Sequence, residues 1–215
     1  FFFGLIVASS VLVAKEIKHW HIGTVISLIA GGCIAYVITV MSPAETPNTW
    51  WFIILSGAIA ICAMILPGIS GAFILLLMGK YSYILGAVSS LNIGVMLLFI
   101  VGAVAGIISF SHLLSWLLKK HHTATVATLT GFMVGSLNKV WPWKETLETY
   151  TDSHGVVRPL VEANVSPHYF QELTQSDPLL VEAIVMCIVG FVLIYGIEFI
   201  GKKMQKQQSI NIWQI

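Results

Sequence analysis

Charged residues are scarce in this 215-residue chain, at 10% of the sequence, whereas 57% of the residues are hydrophobic. A water-soluble globular domain carries about a quarter charged residues. A chain with so little polar surface needs lipid as part of its solvent, so the composition predicts an integral membrane protein. The net charge of +1 and the absence of a basic stripe give no reason to expect a nucleic-acid partner.

Cysteine and arginine are also rare. Cys33, Cys62 and Cys187 lie in separate apolar runs, which forms neither a disulfide framework nor a metal-ligand pattern. Arg158 is the one arginine, and acidic residues are sparse within the apolar runs. Catalysis on a lipid phosphate usually needs clustered acids, histidines or a metal. The sequence therefore disfavours an enzyme, and we expect no metal and no cofactor.

The apolar runs predict an all-α, polytopic membrane protein, because about 20 apolar residues form a helix that spans a bilayer. The strong runs are 1–14, 22–41, 50–66, 72–78, 93–118, 123–137 and 179–200, with a weaker one at 84–90. We divide the chain into a helix end with its loop (1–21), a membrane domain (22–138), an external polar loop (139–178) and a last helix with its tail (179–215). Since the first run is short, we expect Phe1 to lie in mid-helix, after a repeat not present here.

Lysines predict the orientation, because cytoplasmic loops carry an excess of Lys and Arg. They flank three apolar runs, at Lys15, Lys18, Lys119, Lys120, Lys202, Lys203 and Lys206. These positions predict a multi-pass membrane protein with a cytoplasmic C-terminus. The same rule places Trp50 and Asn92 outside, so the segment 50–90 must leave and return on the external side. We favour a re-entrant hairpin over two full crossings, since the run 72–78 covers only about 10 Å of helix.

A short internal similarity suggests an inverted repeat. The segment 4–9 (GLIVAS) resembles 131–136 (GFMVGS), and the predicted topology gives the two opposite directions across the membrane. Similar segments that run in opposite directions are typical of transporters built from inverted repeats.

The sequence LPGISGAF at 66–73 is the most informative segment. Pro67 ends a helix, and Gly68 and Gly71 permit positive φ and close backbone approach. Ser70 is a suitable N-cap for a helix that begins near Ala72. The first turn of such a helix offers unpaired N–H groups at the positive end of the helix dipole, and phosphate is the anion that it suits best.

The stretch 65–81 (ILPGISGAFILLLMGKY) resembles the signature of the polyprenyl-phosphate transporter family, a bacterial and archaeal group. The segment 131–142, which contains Gly135-Ser136 and Trp141-Pro142, is similar to a second characteristic stretch of that family. Family members carry a related Pro-Gly-x-Ser-Gly segment in a first repeat, which this chain lacks. Many members have Ser where this chain has Ala72, so one hydroxyl is missing here.

The resemblance implies a location in the bacterial cytoplasmic membrane. It also implies a function, the transport of undecaprenyl phosphate across that membrane for recycling of the carrier lipid in envelope synthesis. It implies that Ser70 and the backbone of Gly71 and Ala72 bind the phosphate, with Pro67 and Gly68 shaping the turn. The expected partners are the bilayer and a polyprenyl phosphate lipid.

Further candidates and alternatives come from the residues themselves. Lys80 could meet the head group near the external interface, and His112 could relay a proton or contact phosphate. Ser136 belongs to the second family-like stretch and is a further candidate. A secondary transporter of a small anion would use the same half-helix site, and a membrane lipid-phosphate enzyme is a weaker alternative.

Overall fold

Most helices of the computed structural model follow the apolar runs; the short helix Pro167–Thr174 lies in the predicted polar loop, and the last helix continues beyond residue 200 into the predicted tail. The structure describes residues 1–44, 46–151 and 156–212, so the end of the predicted tail, 213–215, lies outside the described residues. The helices are α1 (Phe2–Lys15), α2 (Ile22–Val40), α3 (Trp50–Ile65), α4 (Gly71–Leu77), α5 (Tyr81–Ser89), α6 (Ile93–Lys120), α7 (His122–Ser136), α8 (Pro167–Thr174) and α9 (Leu180–Ile212). A 3-10 helix, Leu137–Val140, continues α7.

Three helices in the described part of the chain, α2, α6 and α9, are long and apolar enough to cross a membrane. A further span is counted if α4 and α5 are taken together, although their axes are bent by 110° at the break between them. The helices α1 and α3 are apolar but shorter. The prediction of a polytopic helical membrane protein with a broken helix is thus confirmed.

Glycines bring the helices together in pairs: α2 with α7, α3 with α6, and α1 with α9. A Cβ atom built on Gly31, Gly102 or Gly4 would lie closer than 3 Å to a backbone carbonyl oxygen of the partner helix. In a membrane, where apolar burial between helices gives little driving force, such close backbone approach supplies packing energy. These interfaces set the positions of α3 and α7, which carry the candidate site.

Contacts at the two ends of the bundle show how the helices run. At one end, Ile17, which follows α1, packs in a cluster with Val126 of α7 and Leu118 of α6. At the other end, the Phe3 ring lies 6.0 Å from the Trp141 ring. The helices α1 and α7 therefore run in opposite directions, as the predicted topology requires, while the inverted repeat itself stays a prediction. We call the end that carries Lys15, Lys18, Lys119 and Lys120 the lysine-rich end.

The segment from α3 to α4 forms a hairpin whose open end lies at the end of the bundle opposite the lysine-rich end. The Ala44 amide donates to the Leu77 carbonyl at 2.8 Å. The Lys80 ammonium donates to the carbonyl of Thr46 at 2.7 Å and to Asn48 Oδ1 at 2.6 Å. Because residues 44–48 precede α3, α4 ends beside the point from which α3 departs. The chain thus leaves and returns at one end, which is the geometry expected of the hairpin.

The polar segment 139–178 has a structure that the sequence did not predict. Strands β1 (Lys144–Thr151) and β2 (Val157–Asn164) pair antiparallel, with Lys144 opposite Asn164. The strand pair is attached to the bundle, because Asn164 Nδ2 donates to Asn138 Oδ1 at 2.8 Å and the Trp141 indole donates to the Val165 carbonyl at 2.9 Å. The strands therefore cover the end of α7.

Candidate functional site

The break between α3 and α4 has the local geometry that its sequence predicts. The helix α3 ends at Ile65, two residues before Pro67. Gly68 has φ +90°, a conformation that residues with a Cβ rarely adopt. Ser70 is extended, with φ −97° and ψ 130°, and occupies the N-cap position of α4, which begins at Gly71, one residue earlier than expected. The chain therefore reverses direction through residues 66–70.

Ser136 lies against this turn. A Cβ atom on Gly68 would be 2.9 Å from Ser136 Cβ and closer still to Ser136 Oγ. Ser136 is fully buried, and its hydroxyl donates to the Met133 carbonyl at 2.8 Å. The structure thus brings together the two family-like stretches, through Gly68 and Ser136, which are 68 positions apart in the sequence.

The residues predicted to bind phosphate differ in accessibility. Ser70 and Ala72 are exposed, and the Ser70 hydroxyl makes no capping bond to α4. Gly71 is buried, because a Cβ atom there would lie 2.6 Å from the Ala60 carbonyl and 2.7 Å from Met64 Cγ. One side of the start of α4 is therefore packed on α3, and the side of Ser70 and Ala72 is open.

A cavity of about 440 Å³ lies next to the turn. It extends from Leu66 between α6 and α7 toward His121 at the lysine-rich end. Its lining is mainly apolar and is formed by Leu66, Phe110, Leu114, Leu117, His121, Ala124, Thr125, Thr128, Leu129 and Phe132. The broken backbone thus borders an open space, which is where non-helical backbone is tolerated in membrane proteins.

The two other predicted candidates lie away from the turn. Lys80 is fully buried, with its ammonium bonded to Thr46 and Asn48 and 5.3 Å from the centre of the Phe52 ring. In this conformation its contacts stabilise the hairpin, and no surface is left for a head group. His112 is exposed on α6, and its Nδ1 lies 2.9 Å from the Ile108 carbonyl oxygen. Within the described residues, no group of acidic, His and Cys side chains could hold a metal ion.

A cluster of charges near the turn was missed at the level of sequence. The ammonium of Lys139 lies 4.7 Å from the centre of the Phe73 ring in α4. Lys139 and Lys144 both place Nζ 3.1 Å from Glu162 Oε2 on β2. Burial raises the pKa of Glu162, but the hydrogen bonds and positive charges of the two lysines outweigh this effect, so its pKa lies below the ordinary value. The sequence feature that could have indicated this cluster is the position of Lys139, one helical turn beyond Ser136.

A helical bundle with a broken hairpin, a polar turn and an adjoining cavity defines the class of polytopic membrane proteins whose sites lie at interrupted helices. The family can also be given: the chain belongs to the undecaprenyl phosphate translocase-like family, whose model matches residues 1–158.

Two relatives extend this comparison. The chain is 45% identical over 203 residues to a polyprenyl-phosphate transporter of Vibrio cholerae, and the aligned region covers 94% of this chain and 66% of that protein. It is 32% identical over 161 residues to a polyprenyl-phosphate transporter of Staphylococcus aureus, covering 66% of this chain and 57% of that protein. The chain therefore spans about two thirds or less of the length of these curated relatives. No solved structure matches.

Proposed function

We propose that this chain forms part of a transporter that moves a polyprenyl phosphate, such as undecaprenyl phosphate, across the bacterial cytoplasmic membrane. The family and the names of both relatives support this proposal. The structural observation that carries it is the open turn: Ser70 and Ala72 at the start of α4 are exposed, and Leu66 at the beginning of the turn lines a cavity. We propose transport without chemical change of the lipid, in keeping with the relatives' names.

The turn suits the phosphate because this is the part of the lipid that the membrane interior excludes. A charged group in an apolar environment without partners is destabilised by many kcal/mol. The Ser70 hydroxyl and the first amides of α4, those of Gly71 and Ala72, supply donors, and amide donors at a helix start favour an anion. Pro67 and Gly68 hold the backbone in the reversed conformation, and Ser136 supports Gly68.

The proposed orientation places the lysine-rich end in the cytoplasm, following the distribution of lysines. The α9 segment with Lys202 and Lys203 then ends on the same side, giving a cytoplasmic C-terminus. The hydrogen bond from Lys15 Nζ to the Tyr195 hydroxyl, at 3.3 Å, supports a common side for the ends of α1 and α9. The strand pair and the open end of the hairpin, at Trp50 and Lys80, would then lie on the external side, and the turn at the tip of the hairpin would lie within the membrane.

The test is transport by the full-length protein in liposomes, with labelled undecaprenyl phosphate followed between leaflets. We expect Ser70→Ala to slow transport about 10-fold, the loss expected for one hydrogen bond to a charged group, with unchanged thermal stability. Ala72→Leu places a bulky side chain on the open side of the turn and should stop transport. Gly71→Leu is less informative, because Gly71 is packed against Ala60 and Met64, so that variant would also disturb folding.

Ser111→Ala, an exposed serine of α6, is the matched control and should leave transport unchanged. Wild-type transport rates in both Ser70→Ala and Ala72→Leu would refute the assignment of phosphate binding to this turn. Uptake of a small soluble anion without lipid movement would instead support an anion transporter.

A further inference from the structure

A second group of polar side chains lies outside the turn and consists of Lys139, Lys144 and Glu162. We call the two lysines the lysine pair and Glu162 its carboxylate. Both ammonium groups lie 3.1 Å from the same oxygen, Glu162 Oε2. Lys144 Nζ also donates to the Lys139 carbonyl at 2.8 Å, which fixes the two lysines relative to each other. Two cations converging on one anionic oxygen is an arrangement that a phosphate oxygen can also occupy.

The position of the lysine pair links it to the turn. Lys139 follows Ser136, the residue that touches Gly68, by three positions along the same helical segment. Its ammonium lies 4.7 Å from the ring centre of Phe73, the third residue of α4. Lys139 therefore lies about one helical turn, roughly 5 Å of rise, beyond the contact between Ser136 and the turn.

The charges of the group are unbalanced in a way that suits an anionic ligand. Two ammonium groups face one carboxylate, which leaves one net positive charge, and a phosphate monoester carries about −1.5 to −2 at neutral pH. The side chains are partly accessible, with 33%, 18% and 21% exposure for Lys139, Lys144 and Glu162. A ligand can thus reach the ammonium groups, and the Glu162 carboxylate can rotate away from them into solvent.

We propose that the lysine pair is a receiving site for the phosphate monoester head group, with Glu162 as a resident counter-ion that the phosphate displaces. This inference rests on the proposed function and adds a step before the turn. The head group binds first to Lys139 and Lys144, beside the strand pair. It then passes to the Ser70 side of α4. Glu162 keeps the two lysines positioned and neutralised in part while no lipid is bound.

The substitutions Lys139→Gln and Glu162→Gln distinguish this role from a purely structural one. Both variants break the same ion pair, so a structural role predicts that both change binding in the same direction. A receiving site predicts that the two variants change the Kd in opposite directions. Lys139→Gln removes a contact to the phosphate, whereas Glu162→Gln removes the carboxylate that competes with the phosphate for the lysines. We expect Lys139→Gln to raise the Kd for undecaprenyl phosphate about 10-fold or more, and Glu162→Gln to lower it several-fold. Lys139→Arg should retain binding within about threefold of wild type.

The experiment uses the full-length protein in nanodiscs that contain undecaprenyl phosphate at graded mole fractions, with inorganic phosphate as the soluble probe. Lys119→Gln, at an exposed lysine of the lysine-rich end, is the control, and melting temperatures confirm folding of each variant. Wild-type Kd values in both Lys139→Gln and Glu162→Gln, or equal shifts in both, would overturn the receiving site. Lys139-dependent binding of inorganic phosphate without lipid binding would also overturn it.

Transport by the wild-type protein separates this inference from the proposed function. If the wild type moves undecaprenyl phosphate and the lysine variants bind and transport normally, the receiving site is refuted and the function stands. If the wild type moves no polyprenyl phosphate, the function itself fails.

Discussion

Replacing Gly68 by alanine tests the geometry of the turn most directly. Gly68 has φ +90°, and a Cβ atom there would lie 2.9 Å from Ser136 Cβ and closer still to Ser136 Oγ. Ser136 is fully buried and cannot simply move into solvent. Gly68→Ala therefore introduces two separate strains, one in the backbone and one between side chains.

The two strains can be given magnitudes. An L-residue in left-handed backbone costs roughly 1–2 kcal/mol. Overpacking a well-packed site by a methyl group costs about 1–3 kcal/mol. We therefore expect Gly68→Ala to lower the free energy of unfolding by about 2–5 kcal/mol. Unfolding in mixed micelles followed by circular dichroism measures this quantity. Gly86→Ala in α5 is the control, since a Cβ there meets nothing within 4 Å and should stabilise by about 0.5–1 kcal/mol.

The companion substitution Ser136→Gly separates the two strains. It removes both the Cβ and the Oγ atoms that the new methyl group of Gly68→Ala would meet, and leaves the backbone strain untouched. In a double-mutant cycle we expect a favourable coupling of about 1–3 kcal/mol, equal to the overpacking term. A neutral Gly68→Ala variant, or a cycle without coupling, would refute the contact between Gly68 and Ser136.

Two further predictions concern charged groups outside the turn. Lys80→Met leaves the Thr46 carbonyl and the Asn48 amide oxygen without their donor, so the free energy of unfolding should fall by about 2–4 kcal/mol, whereas the exposed control Lys119→Met should change it by less than about 0.5 kcal/mol. Equal effects would contradict the burial of Lys80. For Glu162, a folded-state pKa below the unfolded value means that its ion pairs stabilise the attached strand pair fully above about pH 4.3, and that this stabilisation is lost as the pH falls through the folded pKa. Limited proteolysis of 139–178 should therefore accelerate on acidification in wild type and much less in Glu162→Gln; a pH-independent cleavage rate would count against the ion pairs.

Local sequence features predicted most of the helices and the break. Apolar runs gave the bounds of most helices within a few residues, because a lipid-facing helix needs an unbroken series of apolar side chains. The exception is α9, which continues to Ile212, beyond the predicted end of the run at residue 200. Pro67 and Gly68 marked the turn, since both act on the backbone of their own position. The strand pair was not predicted, because β1 and β2 lie in a polar segment with an irregular register between Thr146 and Thr149. A short strand with a bulge lacks the regular alternation on which such predictions depend.

Contacts between residues distant in the sequence could not be predicted from local sequence features. Lys80 was expected at an accessible interface, yet it is buried because its partners, Thr46 and Asn48, come from a loop more than 30 positions earlier. Lys139 and Glu162 are 23 positions apart in the polar segment, and the attachment of β2 to the end of α7 brings them together. In each case, a side chain's role depends on which elements pack beside it.

The order of features along α7 constrains how a head group could travel. Phe132 lines the cavity, Ser136 touches Gly68, and Lys139 belongs to the lysine pair. These three positions are spaced by four and three residues, so cavity, contact and lysine pair follow one another within about 10 Å. Where Gly68 meets Ser136 there is no room even for a methyl group, so a phosphate cannot pass at that point. On the proposed function, a head group that goes from the lysine pair to the cavity must therefore either pass along the open Ser70 side of α4 or wait until the α3–α4 hairpin separates from α7.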